Sequence, residues 1–324
     1  MSNVNIHTGN CLDILPTMEA GSVNCCVTSP PYFGLRDYGN DEQIGLEETP
    51  EAFVESMVNV FREVKRVLAD DGTLWLNLGD SYSSGGRTTT TVQTIRGECG
   101  EDAKKSTVCR PPVIEGIKPK DLIGIPWRVA LALQADGWYL RQDIIWSKPN
   151  PMPESVTDRC TKAHEYIFLL SKSPKYYYDA DAIKQPASVE SQKRLLRGVS
   201  DNHKNINGAP GQTKHSMNQP RTRREGELDE TRCNKKSVWA VPTQSYSGAH
   251  FATFPPDLIK PCIMAGCPAG GTELDPFGGS GTTGMVALEL GRSAELIELN
   301  PAYVEIIEGR THVTPGFNFE GSAS

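Results

Sequence analysis

A rigid turn near the start of the chain carries groups that could hold a flat, amino-bearing ring. The short, mostly apolar run Ser22–Thr28 predicts a buried strand. Pro30 and Pro31 cannot continue that strand, because neither has an N–H group to donate and each fixes φ at about −65°. The strand therefore ends beside the hydroxyl of Ser29, two carbonyl groups and the ring of Tyr32, a set suited to gripping a nucleobase. A plain Pro-Pro turn with a packing tyrosine would contain the same residues.

A second turn, near the other end of the chain, predicts a nucleotide-type cofactor site. The run Glu273–Gly284 predicts a strand end, a glycine-rich turn and a helix start, and Ser293–Glu298 predicts a strand that ends in a carboxylate about 20 residues further on. Glycines let the backbone approach a ligand, a helix N-terminus attracts negative charge, and the acid can bind ribose hydroxyls. Thr282 and Thr283 stand where a Walker A loop requires Lys-Ser/Thr. A glycine-rich loop without a ligand is the alternative.

Both turns need strands that place them on one edge of a sheet, and the rest of the chain supplies such strands. Alternating helical and strand patterns predict an α/β fold with a mainly parallel, doubly wound sheet. The predicted helices are Cys11–Met18, Pro50–Ala69, Asp121–Ala135, Pro256–Ala265 and Met285–Leu290. The predicted strands, besides those already given, are Asn5–Asn10, Thr73–Leu78, Tyr139–Trp146 and Tyr166–Ser171. Thr49 can cap the second helix, and Asp70-Asp71-Gly72 is expected to end it.

Taken together, the two turns resemble those of the amino-group DNA methyltransferases. Ser29–Tyr32 resembles the catalytic motif of that family, and Asp275–Thr282 resembles its S-adenosylmethionine loop. The catalytic motif comes first here, which is the circularly permuted order of the beta group. Trp138–Asn150 and His164–Lys172 are similar to later motifs of the catalytic half. His250–Pro255 is similar to the segment that packs over the methionine end of the cofactor.

The resemblance implies a Rossmann-like methyltransferase fold whose mainly parallel sheet has seven strands, one of them reversed. It also implies a division of the chain into two halves of one methyltransferase domain with an insertion between them. We expect the catalytic half at 1–184, with a polar insert at about 83–120, and a target-recognition insertion at 185–240. The cofactor-binding half would be 241–312, followed by a C-terminal tail at 313–324.

The resemblance also assigns roles to individual residues. Ser29 and the carbonyl of Pro30 would hold the amino group, Pro31 would stiffen the turn, and Tyr32 would stack on a base flipped out of duplex DNA. The cofactor would be S-adenosylmethionine, and the residues expected to bind it are Asn10, Phe251, Thr253, Asp275, Phe277, Gly279, Ser280, Gly281, Thr282, Thr283, Glu298 and Asn300. Asn10 stands where relatives often carry an acid that contacts the adenine ring.

The expected reaction is methylation of an exocyclic amino group, with cytosine N4 favoured over adenine N6 because position 29 is serine rather than aspartate. Its hydroxyl can accept from N4–H and donate to the neighbouring ring nitrogen, and some adenine enzymes also carry serine here. Methylation of cytosine C5 is disfavoured, because it needs a cysteine after a proline, and Cys25 and Cys26 precede the turn. A methyltransferase for RNA or protein, and a silent DNA-binding protein, are the alternatives from other classes.

The net charge of −7 conceals a basic segment. Between Lys184 and Lys236 there are 12 Lys and Arg against six Asp and Glu, a balance suited to phosphate contacts. The residues expected to bind DNA are Arg194, Arg197, Lys204, Lys214, Arg221, Arg223 and Arg224. A solvated loop would have a similar composition. We expect double-stranded DNA as partner, a homodimer, and a cognate restriction endonuclease that acts separately.

The sequence also bears on location and metals. Its start has no basic and apolar signal segment and no run approaches 18 apolar residues, so we expect a cytoplasmic protein with no membrane contact. The nine cysteines include no C-x-x-C pair, which favours reduced thiols. Cys160 and His164 lie four residues apart without a second pair, so we expect no metal site.

Overall fold

The computed structural model describes residues 2–37, 40, 42–83, 107–108, 116–188, 232–244 and 254–311. Its helices are α1 Cys11–Ile14, α2 Pro50–Val67, α3 Ile125–Ala135, α4 Pro256–Gly266, α5 Thr282–Glu289 and α6 Pro301–Thr311, with a 3-10 turn at Leu15–Thr17. Its main strands are β1 Val4–Thr8, β2 Val23–Thr28, β4 Leu68–Leu78, β6 Tyr139–Ser147, β7 His164–Ser171, β10 Val238–Ala240, β11 Thr272–Asp275 and β12 Ser293–Glu298. Four strands of two residues, β3 Arg36–Asp37, β5 Thr107–Val108, β8 Gln185–Pro186 and β9 Arg232–Cys233, form two separate small pairs.

The main sheet is mostly parallel, as predicted, but it has eight strands rather than seven in the described part of the chain. The strand order is β1-β12-β11-β2-β4-β7-β6-β10. Only β7 pairs antiparallel with its neighbours, β4 and β6. The strand missing from the sequence prediction is β10, which pairs parallel with β6 through Val238–Ala240. Three residues at a sheet edge are too short for a periodic pattern to reveal.

Helices cover both faces of the sheet, which makes the fold doubly wound. On one face α2 and α3 pack over Cys26, Leu74 and Leu76 in the larger buried cluster. On the other face α4 approaches so closely that a Cβ at Gly266 would lie 2.7 Å from the Sγ of Cys25. Residues 25 and 26 therefore face opposite layers, as alternation along a strand requires.

Helices α2 and α3 each have a boundary that differs from the sequence prediction for a clear physical reason. Helix α2 begins as expected, with the Thr49 hydroxyl accepting from the Ala52 N–H at 3.1 Å, but it ends at Val67. Leu68 is already the first residue of β4 and pairs with Val23, so Asp70-Asp71-Gly72 belongs to the strand instead of ending the helix. A buried pairing partner for Leu68 outweighs the local turn signal.

Helix α3 begins at Ile125 rather than Asp121. The side chain of Asp80, which follows β4, accepts hydrogen bonds from the N–H groups of Gly124 at 3.0 Å and Ile125 at 3.1 Å. A carboxylate at these first donors stabilises a helix N-terminus, so a residue distant in sequence determines where the helix starts.

The chain divides into two compact units. One comprises residues 1–179 and 237–324, and the other comprises Ala180–Lys236. In the second unit, β8 and β9 pair antiparallel through Gln185↔Cys233 and Pro186↔Arg232. Most of the predicted target-recognition insertion and the whole predicted tail lie outside the described residues.

Candidate active site

The two turns singled out in the sequence meet at one edge of the sheet. Strands β2 and β11 are parallel neighbours, with Cys26 opposite Leu274, so their carboxyl ends lie side by side. A cavity of about 180 Å³ opens there. It is lined by Gly9, Asn10, Cys11, Ser29, Pro30, Pro31, Tyr32, Leu35, Asn40, Glu42, Gln43, Ile44, Phe254, Asp275, Pro276, Phe277, Gly278, Gly279, Ser280, Thr282, Ile297, Glu298, Leu299, Asn300 and Tyr303. This is where ligands bind in open α/β sheets.

Asp275 ties the two turns together. Its Oδ1 accepts from the hydroxyl of Thr28, the last residue of β2, at 2.6 Å and from the N–H of Phe277 at 3.1 Å. Its Oδ2 accepts from the hydroxyl of Thr283, in the first turn of α5, at 2.7 Å. Burial raises the pKa of Asp275, and these three hydrogen bonds oppose that rise. The carboxylate thus fixes the relative position of the two turns.

The glycine-rich loop takes a backbone shape that only glycine adopts easily. Gly279 and Gly281 have φ of 53° and 76°, in the left-handed region. A Cβ at Gly281 would lie 2.8 Å from Cγ2 of Ile307 in α6. The loop can therefore pack directly on α6 while its other side faces the cavity.

Arg310 of α6 holds the same loop from outside. Its Nη1 donates to the carbonyl oxygen of Ser280 at 2.6 Å, to the Ser280 hydroxyl at 2.7 Å and to the Thr282 hydroxyl at 3.3 Å. Ser280 and Thr282 both line the cavity. A charged donor thus orients two of the cavity's hydroxyls.

Glu298 ends β12 with a carboxylate that is only 7% exposed. One oxygen accepts from the N–H of Gly279 at 2.7 Å and the other from the N–H of Asn300 at 2.8 Å. Burial raises the pKa of Glu298 to about 7, with the two N–H groups acting in the opposite direction. Each oxygen keeps lone-pair capacity for a further donor, such as a hydroxyl group.

Asn10 lines the cavity and also caps a helix. Its side-chain oxygen accepts from the N–H of Leu12 at 2.9 Å and caps α1. The side chain therefore fixes the turn that follows β1.

A polar network stands behind the Ser-Pro-Pro-Tyr turn. The Tyr32 hydroxyl donates to Oε2 of Glu165 at 2.7 Å, and Lys148 forms an ion pair with the other oxygen of that carboxylate. The amide nitrogen of Asn77 donates to the Tyr32 hydroxyl at 2.7 Å, to Glu165 Oε2 at 3.1 Å and to the Ser29 hydroxyl at 3.4 Å. The network thus joins the side chains of Ser29 and Tyr32 to β4 and β7.

The backbone at Gly79 confines the ring of Tyr32 from another side. A Cβ built at Gly79, which follows β4, would lie 2.4 Å from Cε2 of that ring. Only a glycine leaves the space that the ring occupies.

The structure brings most predicted site residues to one cavity. Gly281, in the glycine-rich loop, and Thr283, in the first turn of α5, are not part of the cavity lining. Phe251, Thr253 and the predicted DNA-binding residues Arg194, Arg197, Lys204, Lys214, Arg221, Arg223 and Arg224 lie outside the described residues.

Sequence reasoning missed Asn77, Lys148, Glu165, Phe254 and Arg310 as site residues. Lys148, Glu165 and Phe254 fall within segments that resemble family motifs, which was a usable signal. Asn77 and Arg310 reach the site only through tertiary packing, so no local pattern indicates them.

Two further properties of the described residues bear on function. They contain no group of three or more His, Cys, Asp or Glu side chains arranged to hold a metal ion. None of their helices combines the length and the apolar character needed to span a membrane.

Comparison with known protein families gives one extended match. The model of a family described as DNA methylase, of the N6 and N4 type, matches residues 23–309. Two similar curated proteins are the type II methyltransferase M.Cfr9I of Citrobacter freundii and the type II methyltransferase M.SmaI of Serratia marcescens. The first is 46% identical over 310 residues, covering 96% of this chain and 88% of the relative. The second is 45% identical over 305 residues, covering 94% and 89%.

Two solved structures show a similar fold. The PvuII DNA methyltransferase, described as cytosine-N4-specific, superposes with a TM-score of 0.62 at 18% identity, covering 98% of this chain and 89% of its own. A putative DNA modification methylase from Thermus thermophilus, TTHA0409, solved with S-adenosyl-L-methionine, has a TM-score of 0.57 at 21% identity, covering 98% and 96%.

Proposed function

The chain belongs to the N6 and N4 DNA methylase family, and from that premise we propose that it methylates the exocyclic amino group of one base at a specific site in double-stranded DNA, with cytosine N4 as the favoured position. The methyl donor is S-adenosylmethionine. The observation that carries the proposal is the shared cavity, in which the Ser-Pro-Pro-Tyr turn and the glycine-rich loop face one space and are tied together by Asp275.

The residues around the cavity fit an adenosine-type cofactor. The glycine-rich loop brings bare backbone to the cavity, and the buried carboxylate of Glu298 ends the neighbouring strand, where it can accept from ribose hydroxyls. Phe254, Pro276 and Phe277 add apolar surface to the wall. When bound, S-adenosylmethionine supplies an electrophilic methyl group on a sulfonium.

The chain's own residues prepare the amino group for transfer. An exocyclic amino nitrogen is a poor nucleophile, because its lone pair is delocalised into the ring. Acceptors aimed at its two N–H groups favour rehybridisation, and we assign that role to the Ser29 hydroxyl and the Pro30 carbonyl, since both residues line the cavity. The Tyr32 ring stacks on the flipped base, so that the nitrogen is held near the donor and proximity supplies much of the rate.

The choice of cytosine over adenine rests on Ser29. A serine hydroxyl can accept from the amino group and donate to the adjacent ring nitrogen, whereas a carboxylate can only accept. Adenine N6 is the alternative, since its amino group also has a ring nitrogen beside it. The test is to methylate DNA, digest it to nucleosides and identify the modified nucleoside by mass. N4-methyl-2′-deoxycytidine supports the proposal, and N6-methyl-2′-deoxyadenosine replaces it with the alternative.

The remaining parts of the proposal concern partners. We assign DNA recognition to residues 185–240, where Lys and Arg outnumber Asp and Glu, with the methyltransferase domain divided at 1–184 and 241–312. We further propose that the protein is a cytoplasmic homodimer. A cognate restriction endonuclease would act separately. Sedimentation of the protein with and without duplex DNA tests the oligomeric state, and a constant monomer mass would contradict the dimer.

Parallel transfer assays test the activity as a whole. Radiolabelled S-adenosylmethionine is offered with duplex DNA, with RNA and with protein, after cofactor binding has been measured by calorimetry. We expect label in duplex DNA alone. A protein that binds the cofactor but labels only RNA or protein, or labels nothing, would overturn the proposal.

A further inference from the structure

Behind the turn of Ser29 and Tyr32 lies a shielded polar network made by Asn77, Glu165 and Lys148. The side chains of Lys148 and Glu165 are only 18% and 13% exposed, and Asn77 is 4% exposed. Burying charged and polar groups costs free energy unless they are paired. Lys148 and Glu165 offset that cost by pairing with each other, and Asn77 donates to Glu165 and to both side chains of the turn.

The network is built on rigid elements. Asn77 lies on β4 opposite Ile167 of β7, and Glu165 lies on β7 opposite Trp146 of β6. Lys148 directly follows β6, and its N–H donates to the carbonyl oxygen of Ala163 at 2.8 Å. The three side chains therefore have little freedom, which is what a positioning function requires.

Glu165 gathers three donors around one carboxylate. Oε2 accepts from the Tyr32 hydroxyl at 2.7 Å and from Asn77 at 3.1 Å, while Oε1 pairs with Lys148. The ammonium of Lys148 also lies 4.3 Å from the centre of the Trp146 ring, which favours its charge. The outcome is a fixed, charge-assisted anchor for a tyrosine hydroxyl.

The anchor acts on the part of Tyr32 that is far from the backbone. Gly79 leaves no room for a Cβ beside the ring carbons Cε2 and Cδ2, and Glu165 with Asn77 holds the hydroxyl. Hydroxyl and ring are thus held by separate contacts, so the ring plane has a defined orientation before any base arrives.

Asn77 also orients the Ser29 hydroxyl. Its amide nitrogen lies 3.4 Å from the Ser29 oxygen and occupies one acceptor position of that hydroxyl. The second lone pair and the hydroxyl hydrogen of Ser29 remain for a base.

We propose that Asn77, Glu165 and Lys148 are positioning residues of the base site, which preset the Tyr32 ring and the Ser29 hydroxyl for the flipped base. The inference rests on the proposed DNA methyltransferase function. It predicts that damage to the network slows methyl transfer and leaves cofactor binding unchanged, because none of the three residues lines the cavity.

A double-mutant cycle tests the hydrogen bond between the Tyr32 hydroxyl and Glu165. Tyr32→Phe removes the hydroxyl and keeps the ring, and Glu165→Ala removes the anchor. We expect each to lower the single-turnover rate of methyl transfer by about 10- to 100-fold, with no further loss in the double variant. Glu165→Gln, which keeps an acceptor for the hydroxyl, should recover part of the rate. Glu289→Ala, which breaks the exposed pair with Lys260, is the matched control and should keep the wild-type rate.

Variants of Lys148 provide an independent test if Glu165→Ala does not fold. Lys148→Arg keeps the charge and should remain within a few fold of wild type, whereas Lys148→Met should lose about as much as Glu165→Ala. Calorimetry with S-adenosylmethionine should give the same dissociation constant for every variant.

The outcomes separate this inference from the function on which it rests. Wild-type protein that binds the cofactor but labels no DNA refutes the proposed function. Active wild type with an unimpaired Glu165→Ala, or with losses that multiply in the double variant, refutes the positioning role alone. Weakened cofactor binding in the variants would also refute it.

Discussion

Replacing Glu273 by glutamine should make the stability of this protein less sensitive to alkaline pH. Glu273 lies on β11 with no exposed surface, beneath α4 and away from the cavity. No hydroxyl or amide of the described residues donates to either carboxylate oxygen, and the weakly donating thiols of Cys25 and Cys267 and the charge of Arg292 oppose the effect of burial only in part. Burial raises the pKa of Glu273 to about 8 from an ordinary 4.5.

The sign and the size follow from linkage between protonation and folding. Between pH 4.5 and pH 8 the folded protein keeps the proton on Glu273, while the unfolded chain has released it. The free energy of unfolding therefore falls by about 1.4 kcal/mol for each pH unit in this window. From pH 6 to pH 8 Glu273 alone removes about 2 kcal/mol, because the slope flattens near pH 8, where half of the folded molecules have released the proton. Glu298, with a pKa raised to about 7, adds a smaller loss that ends near pH 7.

Urea unfolding of the wild type and of Glu273→Gln at pH 6 and pH 8, followed by tryptophan fluorescence, measures this effect. The variant should lose about 2 kcal/mol less than the wild type between the two pH values. Glu289→Gln, at a half-exposed side chain, is the control and should follow the wild type. If wild type and Glu273→Gln lose equal stability, Glu273 is already ionised at pH 6 and the reasoning about its burial is wrong.

Three further predictions concern the site. Gly79→Ala should displace the Tyr32 ring, because the new methyl group would lie 2.4 Å from Cε2, and should lower kcat by about 100-fold with an unchanged dissociation constant for S-adenosylmethionine. Below pH 7 the wild-type dissociation constant for S-adenosylmethionine should rise by about tenfold per pH unit as Glu298 becomes protonated, and calorimetry of Glu298→Gln should show no such slope. Arg310→Met should weaken cofactor binding by about tenfold, because the Ser280 hydroxyl loses the charged donor that orients it. Equal affinity in the variant would show that Arg310 does not orient the loop for the cofactor.

The sequence predicted the parts of the fold and the site that depend on local patterns. Seven of the eight strands of the main sheet have the length and apolar character that a window of residues can detect, whereas β10 has three residues and owes its existence to pairing with β6. The start of α3 moved because Asp80, far away in sequence, caps it.

The same division applies to the site. Each turn of the site is contiguous in sequence and carries its own signature of proline or glycine. Asn77, Glu165 and Arg310 belong to the site because separate strands and a late helix converge on the turns, and their partners in the two turns lie between 28 and 133 residues away along the chain. Contacts of that kind are set by packing, which no single window of sequence contains.

The order of strands has a consequence for how the protein is made. β1 and β2 follow one another along the chain, yet β12 and β11 lie between them in the sheet. During synthesis the early strands must wait for about 250 residues before their neighbours emerge, which takes on the order of 10 to 50 s at ribosomal speeds. In that interval one edge of β2 stays open to non-native pairing, and the part of the cavity wall that follows β11 and β12 does not yet exist. Methylating activity therefore begins only after β11 and β12 have been synthesised.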